Sequence, residues 1–348
     1  MNLKKIKDAA VLIAFLAVML WTSYGSTEEK EDKQIYIGVA CYDQKDTFLG
    51  ALMEAFKDEC SHLEAKGYGI SLTIMDAANS QRTQDDQVQE MINNGCDILC
   101  VNLADRTDPS EIIDTAREND VPIIFFNREP VEEDLMQWNK LYYVGAEAKQ
   151  SGQMQGELAA DYIKENPSVD KNSDGKIQYV ILEGELGHQD AIIRTESVAE
   201  SMKENGVELE KLSYQTANWN RAQAQNRMTQ LIGQYKNSIE LVIANNDAMA
   251  LGAMDAYEKL GITDSNYPVF FGIDGTDEGL EAVRQSKLAA TVYNDKEGQA
   301  YAMAQLAYAV VTGYGMNNIG FENKKYIYLP YKKVTAGNVT DFIDNIQD

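Results

Sequence analysis

The chain has 348 residues, which exceeds the size at which one hydrophobic core usually stops growing, so two lobes are expected. Its formal charge of -24 at pH 7 argues against nucleic acid as a partner, because phosphate binding needs clustered Lys and Arg. The chain has two histidines, His62 and His188, which leaves little material for histidine-based catalysis. We therefore expect a binding protein rather than an enzyme.

The first residues have the pattern of an export signal. Lys4, Lys5 and Lys7 precede an apolar run from Ala9 to Leu20, and small residues follow it. We predict that residues 1–25 are a signal peptide and that the mature protein lies in the periplasm or at the extracellular face of the membrane. An uncleaved membrane anchor is the alternative, although the run is short for a bilayer span.

From residue 35 onward, short apolar runs alternate with longer amphipathic stretches. The runs are IYIGVA, ISLTIM, DILCVN, VPIIFF, IQYVIL, IELVIA, PVFFGI and AATVYN. Strands that are apolar at nearly every position are typical of parallel sheets covered by helices on both faces. The predicted fold class is α/β, with the lobe boundary near the polar segment 128–140 and several short crossings in place of a flexible linker.

The cysteines lie mostly in or beside the apolar runs. They form no CxxC pair, and they are Cys41, Cys60, Cys96 and Cys100. This placement favours buried free thiols, although an exported chain could pair them.

Polar or aromatic side chains follow several of the predicted strands. Ligands of parallel sheets bind just beyond the carboxyl ends of the strands, so residues at these exits are candidates for a binding site. The candidates are Asp46, Phe48, Asn102, Asn246, Asp274 and Asn294. Helix capping is the alternative role for each Asn and Asp.

Two further segments add candidates. His188, Asp190 and Arg194 begin the helix after IQYVIL, where a cap and a surface ion pair are the alternative roles. Trp219 opens a helix beside a polar loop, where a packing anchor is the alternative. Aromatic faces at Phe48 and Trp219, combined with amides, carboxylates and Arg, suit a pyranose ring with its apolar faces and hydroxyl rim.

The segment DKNSDGKIQ, residues 170–178, resembles most of an EF-hand calcium loop. Its candidate donors occupy loop positions 1, 3, 5, 7 and 9, and they are Asp170, Asn172, Asp174, the carbonyl of Lys176, and Gln178. The twelfth residue is Ile181, which cannot bind a hard cation, so a carboxylate must come from elsewhere in the fold. A turn without a metal is the alternative.

Taken together, the residues from about 35 to 345 resemble the periplasmic D-galactose/D-glucose-binding proteins of ABC sugar transporters. The resemblance rests on seven strings, and these are IGV at 37–39, VNLAD at 101–105, FFNREP at 125–130, YYVG at 142–145, GHQDAIIRT at 187–195, IANNDAMA at 243–250 and TVYND at 291–295. It implies two doubly wound lobes that close on a sugar by hinge motion, with crossings near Val121, Tyr293 and Tyr328. The lobes would then comprise residues 35–121 with 293–328, and 122–292 with 329–348.

The resemblance also implies the sugar contacts. They would be Asp46, Phe48, Asn102, His188, Asp190, Arg194, Trp219, Asn246, Asp274 and Asn294. Phe48 and Trp219 would sandwich the ring, and Asp46 would accept a hydrogen bond from the 4-hydroxyl, which distinguishes galactose from glucose.

For the calcium loop, the resemblance places the missing ligand on Glu240 and implies a structural calcium ion. The implied partners are a monosaccharide and an ABC transporter permease, and docking by a chemoreceptor remains open.

Two other protein classes fit the sequence less well, and a third alternative keeps a binding protein but changes its ligand. A repressor of the lac type would carry an N-terminal helix-turn-helix where this chain has an export signal. A sugar-modifying enzyme on a doubly wound sheet would need a motif such as GxGxxG, which GVACYDQKD lacks. A binding protein for ribose, xylose or a signalling sugar remains the alternative.

Overall fold

The computed structural model describes residues 34–65, 67–262 and 266–343. The predicted signal peptide, residues 1–25, lies outside these ranges, as does the end of the predicted second lobe, residues 344–348. Within the described ranges, no helix combines the length and the apolar character needed to cross a membrane.

The strands form two six-stranded sheets. The first sheet contains β1 (Ile35–Cys41), β2 (Ile70–Asp76), β3 (Ile98–Val101), β4 (Ile123–Phe126), β5 (Leu141–Gly145) and β11 (Tyr326–Tyr328). The second sheet contains β6 (Ile177–Glu183), β7 (Leu209–Thr216), β8 (Leu241–Ala244), β9 (Val269–Phe271), β10 (Ala290–Tyr293) and β12 (Lys332–Thr335).

Helices connect most of these strands. In the first half of the chain they are α1 (Thr47–Ala65), α2 (Gln81–Asn93), α3 (Ser110–Glu118), α4 (Glu132–Leu135) and α5 (Ala148–Glu165). In the second half they are α6 (Gln189–Glu204), α7 (Arg221–Tyr235), α8 (Asp247–Lys259), α9 (Asp277–Arg284), α10 (Lys296–Thr312) and α11 (Thr340–Ile343). Short 3-10 turns occur at Pro167–Val169, Lys236–Ser238 and Met316–Asn318.

Each sheet has a doubly wound order. The first runs β11-β5-β4-β3-β1-β2, and the second runs β12-β10-β9-β8-β6-β7. Strands β3, β4, β8 and β10 are buried at every residue, which explains their continuous apolar sequences. The predicted α/β class with two parallel-sheet lobes is confirmed, while β12 departs from the parallel pattern by pairing antiparallel to β10.

Within the described residues, the chain passes between the two sheets three times. The first passage lies between Gly145 and Ala148, the second between β10 and α10, and the third between β11 and β12. The crossing predicted near Val121, and hence the lobe limits 35–121 and 122–292, is wrong. Strand β4 pairs in parallel with β3, and β5 pairs with β4, so residues 122–145 complete the first sheet. The polar segment 128–140 forms α4 and its flanking turns inside that lobe.

The four cysteines are buried and unpaired, as the sequence favoured. Burial raises the pKa of the Cys41, Cys60 and Cys96 thiols to about 12, which leaves them protonated and inert at neutral pH.

Two helices of the second lobe approach each other closely. A Cβ atom added at Gly152 on α5 would lie 2.0 Å from Ser197 Oγ and 2.9 Å from the Arg194 carbonyl oxygen, both on α6. Only glycine leaves room for this contact. The position of Arg194, one of the candidate sugar contacts, therefore depends on a residue that does not itself reach the ligand.

The change Gly152→Ala should lower the free energy of unfolding by about 1–3 kcal/mol, because the added methyl group collides with the backbone of α6. Thermal melting would measure the loss. The matched control is Gly233→Ala on α7, where no atom lies within 4 Å of the added Cβ. That control should be stabilised by about 0.5–1 kcal/mol through helix propensity. A Gly152→Ala protein as stable as the control would contradict the packing account.

Candidate functional site

A cavity lies between the two lobes, where the carboxyl ends of the strands of both sheets face each other. It is lined by Tyr42, Asp46, Phe48, Asn127, Arg128, His188, Asp190, Arg194, Trp219, Asn246, Asp274 and Asn294. Both lobes contribute, so the site is complete only when the lobes are close together.

Most of the residues predicted as sugar contacts line this cavity. The exception is Asn102, which is fully buried behind it. The Asn102 side-chain amide donates to the Phe126 carbonyl and to Asn127 Oδ1, both at 3.0 Å. Asn102 thus supports Asn127, which lies on the cavity surface in its place.

Two aromatic side chains wall the cavity from opposite lobes. Phe48 comes from the first turn of α1, and Trp219 comes from the loop before α7. The helix begins at Arg221, two residues later than expected, and Trp219 has a left-handed backbone with φ of 59°. A Cβ at Gly184 would lie 2.1 Å from the Trp219 indole, so the glycine after β6 makes room for the ring.

Three polar residues of the cavity also cap helices. Asp46 Oδ1 accepts from the Leu49 N–H at 2.9 Å, and Asn246 Oδ1 accepts from the Met249 N–H at 2.9 Å. His188 Nδ1 accepts from the Asp190 N–H at 3.1 Å. Capping and lining the cavity are therefore compatible, since each side chain sits at a helix start that points into the cleft.

Arg194 is a buried cation of the second lobe. Its Nη1 donates to the Asn245 carbonyl at 2.8 Å and its Nη2 donates to the Tyr331 hydroxyl at 2.9 Å. The carboxylates of Asp190 and Asp274 each lie 3.7 Å from the guanidinium. Burial disfavours its charge, but Tyr331, Asp274 and Asp190 together raise the Arg194 pKa, so it remains a cation.

Asp274 is the most constrained acid in the cavity. Burial raises the pKa of its carboxyl well above the ordinary value, and Arg194 offsets only part of that rise. Its backbone φ is 111°, a conformation that L-residues rarely adopt. Strained backbone and a desolvated acid commonly occur together at functional sites.

A second buried acid, Asp247, organises the turn that carries Asp274. Its Oδ1 accepts from Thr291 Oγ1 at 2.6 Å, and its Oδ2 accepts from the Thr276 N–H at 2.9 Å. Burial raises the Asp247 pKa to about 7. This one carboxyl therefore joins the starts of α8 and α9 to strand β10, which leads to Asn294.

The resemblance did not assign three of the lining residues. Tyr42 follows β1, and Asn127 and Arg128 directly follow β4, within the quoted string FFNREP. The sequence does indicate these residues as candidates, because each one follows an apolar run that predicts a strand. The crossing implied near Val121 would have put Asn127 and Arg128 on the second lobe, whereas the boundary predicted from the polar segment 128–140 keeps the run before them in the first lobe.

The calcium-loop candidates lie close together beside β6. The Asn172 side-chain amide is 3.1 Å from Asp174 Oδ2 and 3.1 Å from Gln178 Oε1. Asp170 accepts from the Gly175 N–H at 2.9 Å, and Gly175 has a φ of 80° at the predicted sharp turn. Across the described ranges, no three His, Cys, Asp or Glu side chains gather closely enough to hold a metal on their own. A cation would therefore need the amide and main-chain oxygens of this loop as well.

Glu240 reaches the loop from the strand next to β6. Its side chain is buried, Oε1 accepts from the Lys171 N–H at 2.6 Å, and Oε2 accepts from the Gln178 N–H at 2.9 Å. Both carboxylate oxygens thus face the loop backbone. An all-oxygen donor set with one two-oxygen carboxylate is the set that calcium prefers.

Comparison with known proteins identifies the family. Residues 37–315 match the periplasmic binding protein domain. The D-galactose/methyl-galactoside binding periplasmic protein of Haemophilus influenzae is 36% identical over 310 residues, covering 88% of this chain and 91% of that protein. A putative rhizopine-binding protein of Rhizobium meliloti is 30% identical, covering 84% of this chain and 92% of that protein.

A solved structure agrees with these relatives. The ABC transporter solute binding protein from Bacillus halodurans C-125, with bound myo-inositol, is 30% identical with a TM-score of 0.75. The match covers 90% of this chain and 99% of that one. All three of these proteins are named as binding proteins. This chain belongs to the periplasmic binding protein family.

Proposed function

We propose that this protein is an extracytoplasmic solute-binding protein that captures D-galactose and D-glucose between its lobes and delivers them to an ABC sugar importer. A chemoreceptor, where one is present, would recognise the same closed form. The similarity to the Haemophilus influenzae galactose-binding protein over most of both chains supports the proposal.

The observation that carries the proposal is the composition of the cavity. Phe48 and Trp219 wall it from opposite lobes, and carboxylates, amides and two arginines form its rim. A pyranose has apolar C–H faces for the aromatic rings and hydroxyls that both donate and accept hydrogen bonds. Asp46, at the first-lobe side, is the proposed acceptor for the 4-hydroxyl, and a carboxylate there can serve the axial and the equatorial epimer.

The cavity chemistry favours binding over catalysis. Its histidine, His188, has its pKa lowered well below the ordinary value, first by burial and then by Arg128 and Arg194. It is therefore a neutral imidazole whose Nδ1 is used as a helix cap. The acids that line the cavity, Asp46, Asp190 and Asp274, can accept hydrogen bonds from sugar hydroxyls.

A cyclitol is the second candidate ligand. The Bacillus halodurans protein, 30% identical to this chain, was solved with bound myo-inositol. Myo-inositol has a full ring of hydroxyls and could use the same carboxylates and amides. It lacks the ring oxygen and the hydroxymethyl group of a hexose, so a direct comparison of affinities separates the two candidates.

We also propose a structural calcium ion in the loop 170–178. Asp170, Asn172, Asp174, Gln178 and the carbonyl of Lys176 would hold it together with Glu240 from outside the loop. The ion would join the loop before β6 to the start of β8 without contacting sugar. Its contribution would be to stability.

Calorimetric titration with D-galactose, D-glucose, myo-inositol, D-ribose and D-xylose tests the proposed ligand. We expect both hexoses to bind and to change Trp219 fluorescence, and we expect no product to form. The other three should bind at least about tenfold more weakly. Absence of binding by either hexose, or tighter binding of myo-inositol, would overturn the hexose assignment.

The change Asp274→Ala should weaken hexose binding by about 2–4 kcal/mol, because sugar hydroxyls would lose an acceptor in a cleft with little water. Calorimetry measures the difference. Asp161→Ala, which removes a carboxylate that is 65% exposed on α5, is the matched control and should bind like the wild type. Unchanged affinity in Asp274→Ala would remove this residue from the proposed site.

Removing calcium with a chelator should lower the melting temperature by several degrees, because a bound ion stabilises only the folded state. Glu240→Gln should melt at the same temperature with and without calcium, since the amide replaces one ligand oxygen with NH₂. Differential scanning calorimetry measures both effects. A wild-type melting temperature that does not respond to the chelator would count against the calcium ion.

A further inference from the structure

An ion pair crosses the cleft beside the cavity. Arg128 follows β4 in the first lobe, and Glu185 follows β6 in the second. Arg128 Nη2 lies 2.5 Å from Glu185 Oε2. Because the two residues belong to different lobes, the contact can exist only when the lobes are close together.

On the first lobe, Arg128 supports part of the cavity wall. Its side chain is 4% exposed, its Nη1 donates to the Ala104 carbonyl at 3.0 Å, and its guanidinium lies 3.5 Å from the centre of the Tyr42 ring. The Tyr42 hydroxyl in turn donates to Asp46 Oδ2 at 2.6 Å. Arg128 therefore stacks on the residue that orients the proposed acceptor of the 4-hydroxyl.

On the second lobe, Glu185 belongs to the turn that starts α6. Its carbonyl accepts from the His188 N–H at 3.1 Å, and His188 lines the cavity. The Glu185 carboxylate is the better exposed partner, with 37% of its side chain accessible. The contact therefore joins a buried guanidinium of the first lobe, that of Arg128, to a partly exposed carboxylate of the second lobe, that of Glu185.

We propose that Arg128 is a positioning residue whose pairing with Glu185 couples lobe closure to the assembly of the sugar site. When the lobes separate, the guanidinium keeps the Ala104 carbonyl and the Tyr42 ring but loses its carboxylate. In the closed form, where Arg128 is 4% exposed, Glu185 supplies the anion that this buried cation needs, so the pair stabilises the closed form relative to a closed form without it. Ligand affinity rises with the population of the closed form, and this inference therefore rests on the proposed function.

A double-mutant cycle on affinity tests the coupling. Glu185→Gln removes the charge at an accessible position, and Arg128→Met keeps an aliphatic chain over Tyr42 while removing the guanidinium. We expect Glu185→Gln to weaken hexose binding by about tenfold, from the loss of a charge-assisted hydrogen bond. In the Arg128→Met background the same change should have little effect, because its partner is already absent. The tenfold effect in the wild-type background should shrink as salt is added.

Asp120→Asn is the matched control. It breaks an ion pair of 2.7 Å with Lys140 that lies within the first lobe, so affinity should not change. Equal effects of Glu185→Gln in both backgrounds, or no effect in the wild type, would overturn the coupling.

If no sugar of the panel binds the wild type, the proposed function is wrong. Small-angle scattering of the ligand-free proteins then tests separately whether the Arg128–Glu185 pair favours lobe closure. A larger radius of gyration in Glu185→Gln than in the wild type supports it, and identical curves overturn it.

Discussion

The structure depends on charged groups held out of water between two lobes. Arg194 and Asp274 are each about 4% exposed, yet Arg194 Nη1 lies 3.7 Å from Asp274 Oδ1, beyond the range of a direct hydrogen bond. Such groups are unfavourable in a dry cleft unless other atoms complete their hydrogen bonding. A polyol provides hydroxyls that donate to carboxylates and accept from guanidinium groups, which is why these residues suit a sugar better than an apolar ligand.

The fold makes that arrangement possible by facing two sheets toward each other at their carboxyl ends. Side chains from strand exits then meet across the cleft, and buried groups behind them fix their positions. Asp247 joins the segments around Asn246, Asp274 and Asn294, while Gly152 lets α5 press against the helix that carries Arg194. Positive φ angles at Asn127, Trp219 and Asp274 place local backbone strain at the same edge.

Much of this organisation is readable in the sequence. Continuous apolar runs identify strands buried on both faces, and polar residues at their ends identify the edge where a ligand binds. The alternation does not reveal which sheet a strand joins, because VPIIFF suits either lobe equally well. In the structure, Leu99 of β3 pairs with Ile123 of β4, so this run belongs to the first sheet. The first crossing between the lobes therefore lies after Gly145 and not near Val121.

Two features of the site depend on contacts that the sequence pattern does not show. Asn102 lies at a strand exit, but the turn after β4 covers it, and Asn127 takes its place at the surface of the cavity. Residue type and spacing along the chain cannot distinguish a lining side chain from one directly behind it. The ion pair of Arg128 with Glu185 joins residues 57 positions apart and depends on how the lobes face each other.

The central expectation is a single sugar ring held between Phe48 and Trp219, with its hydroxyls directed at buried acids and amides. A crystal structure of the protein grown with D-galactose tests it most directly. We expect one monosaccharide enclosed by both lobes, with Asp274 and Arg194 each within hydrogen-bond distance of a hydroxyl. Density for the sugar outside the cleft, or a closed cleft filled by a ligand of another chemical class, would contradict it.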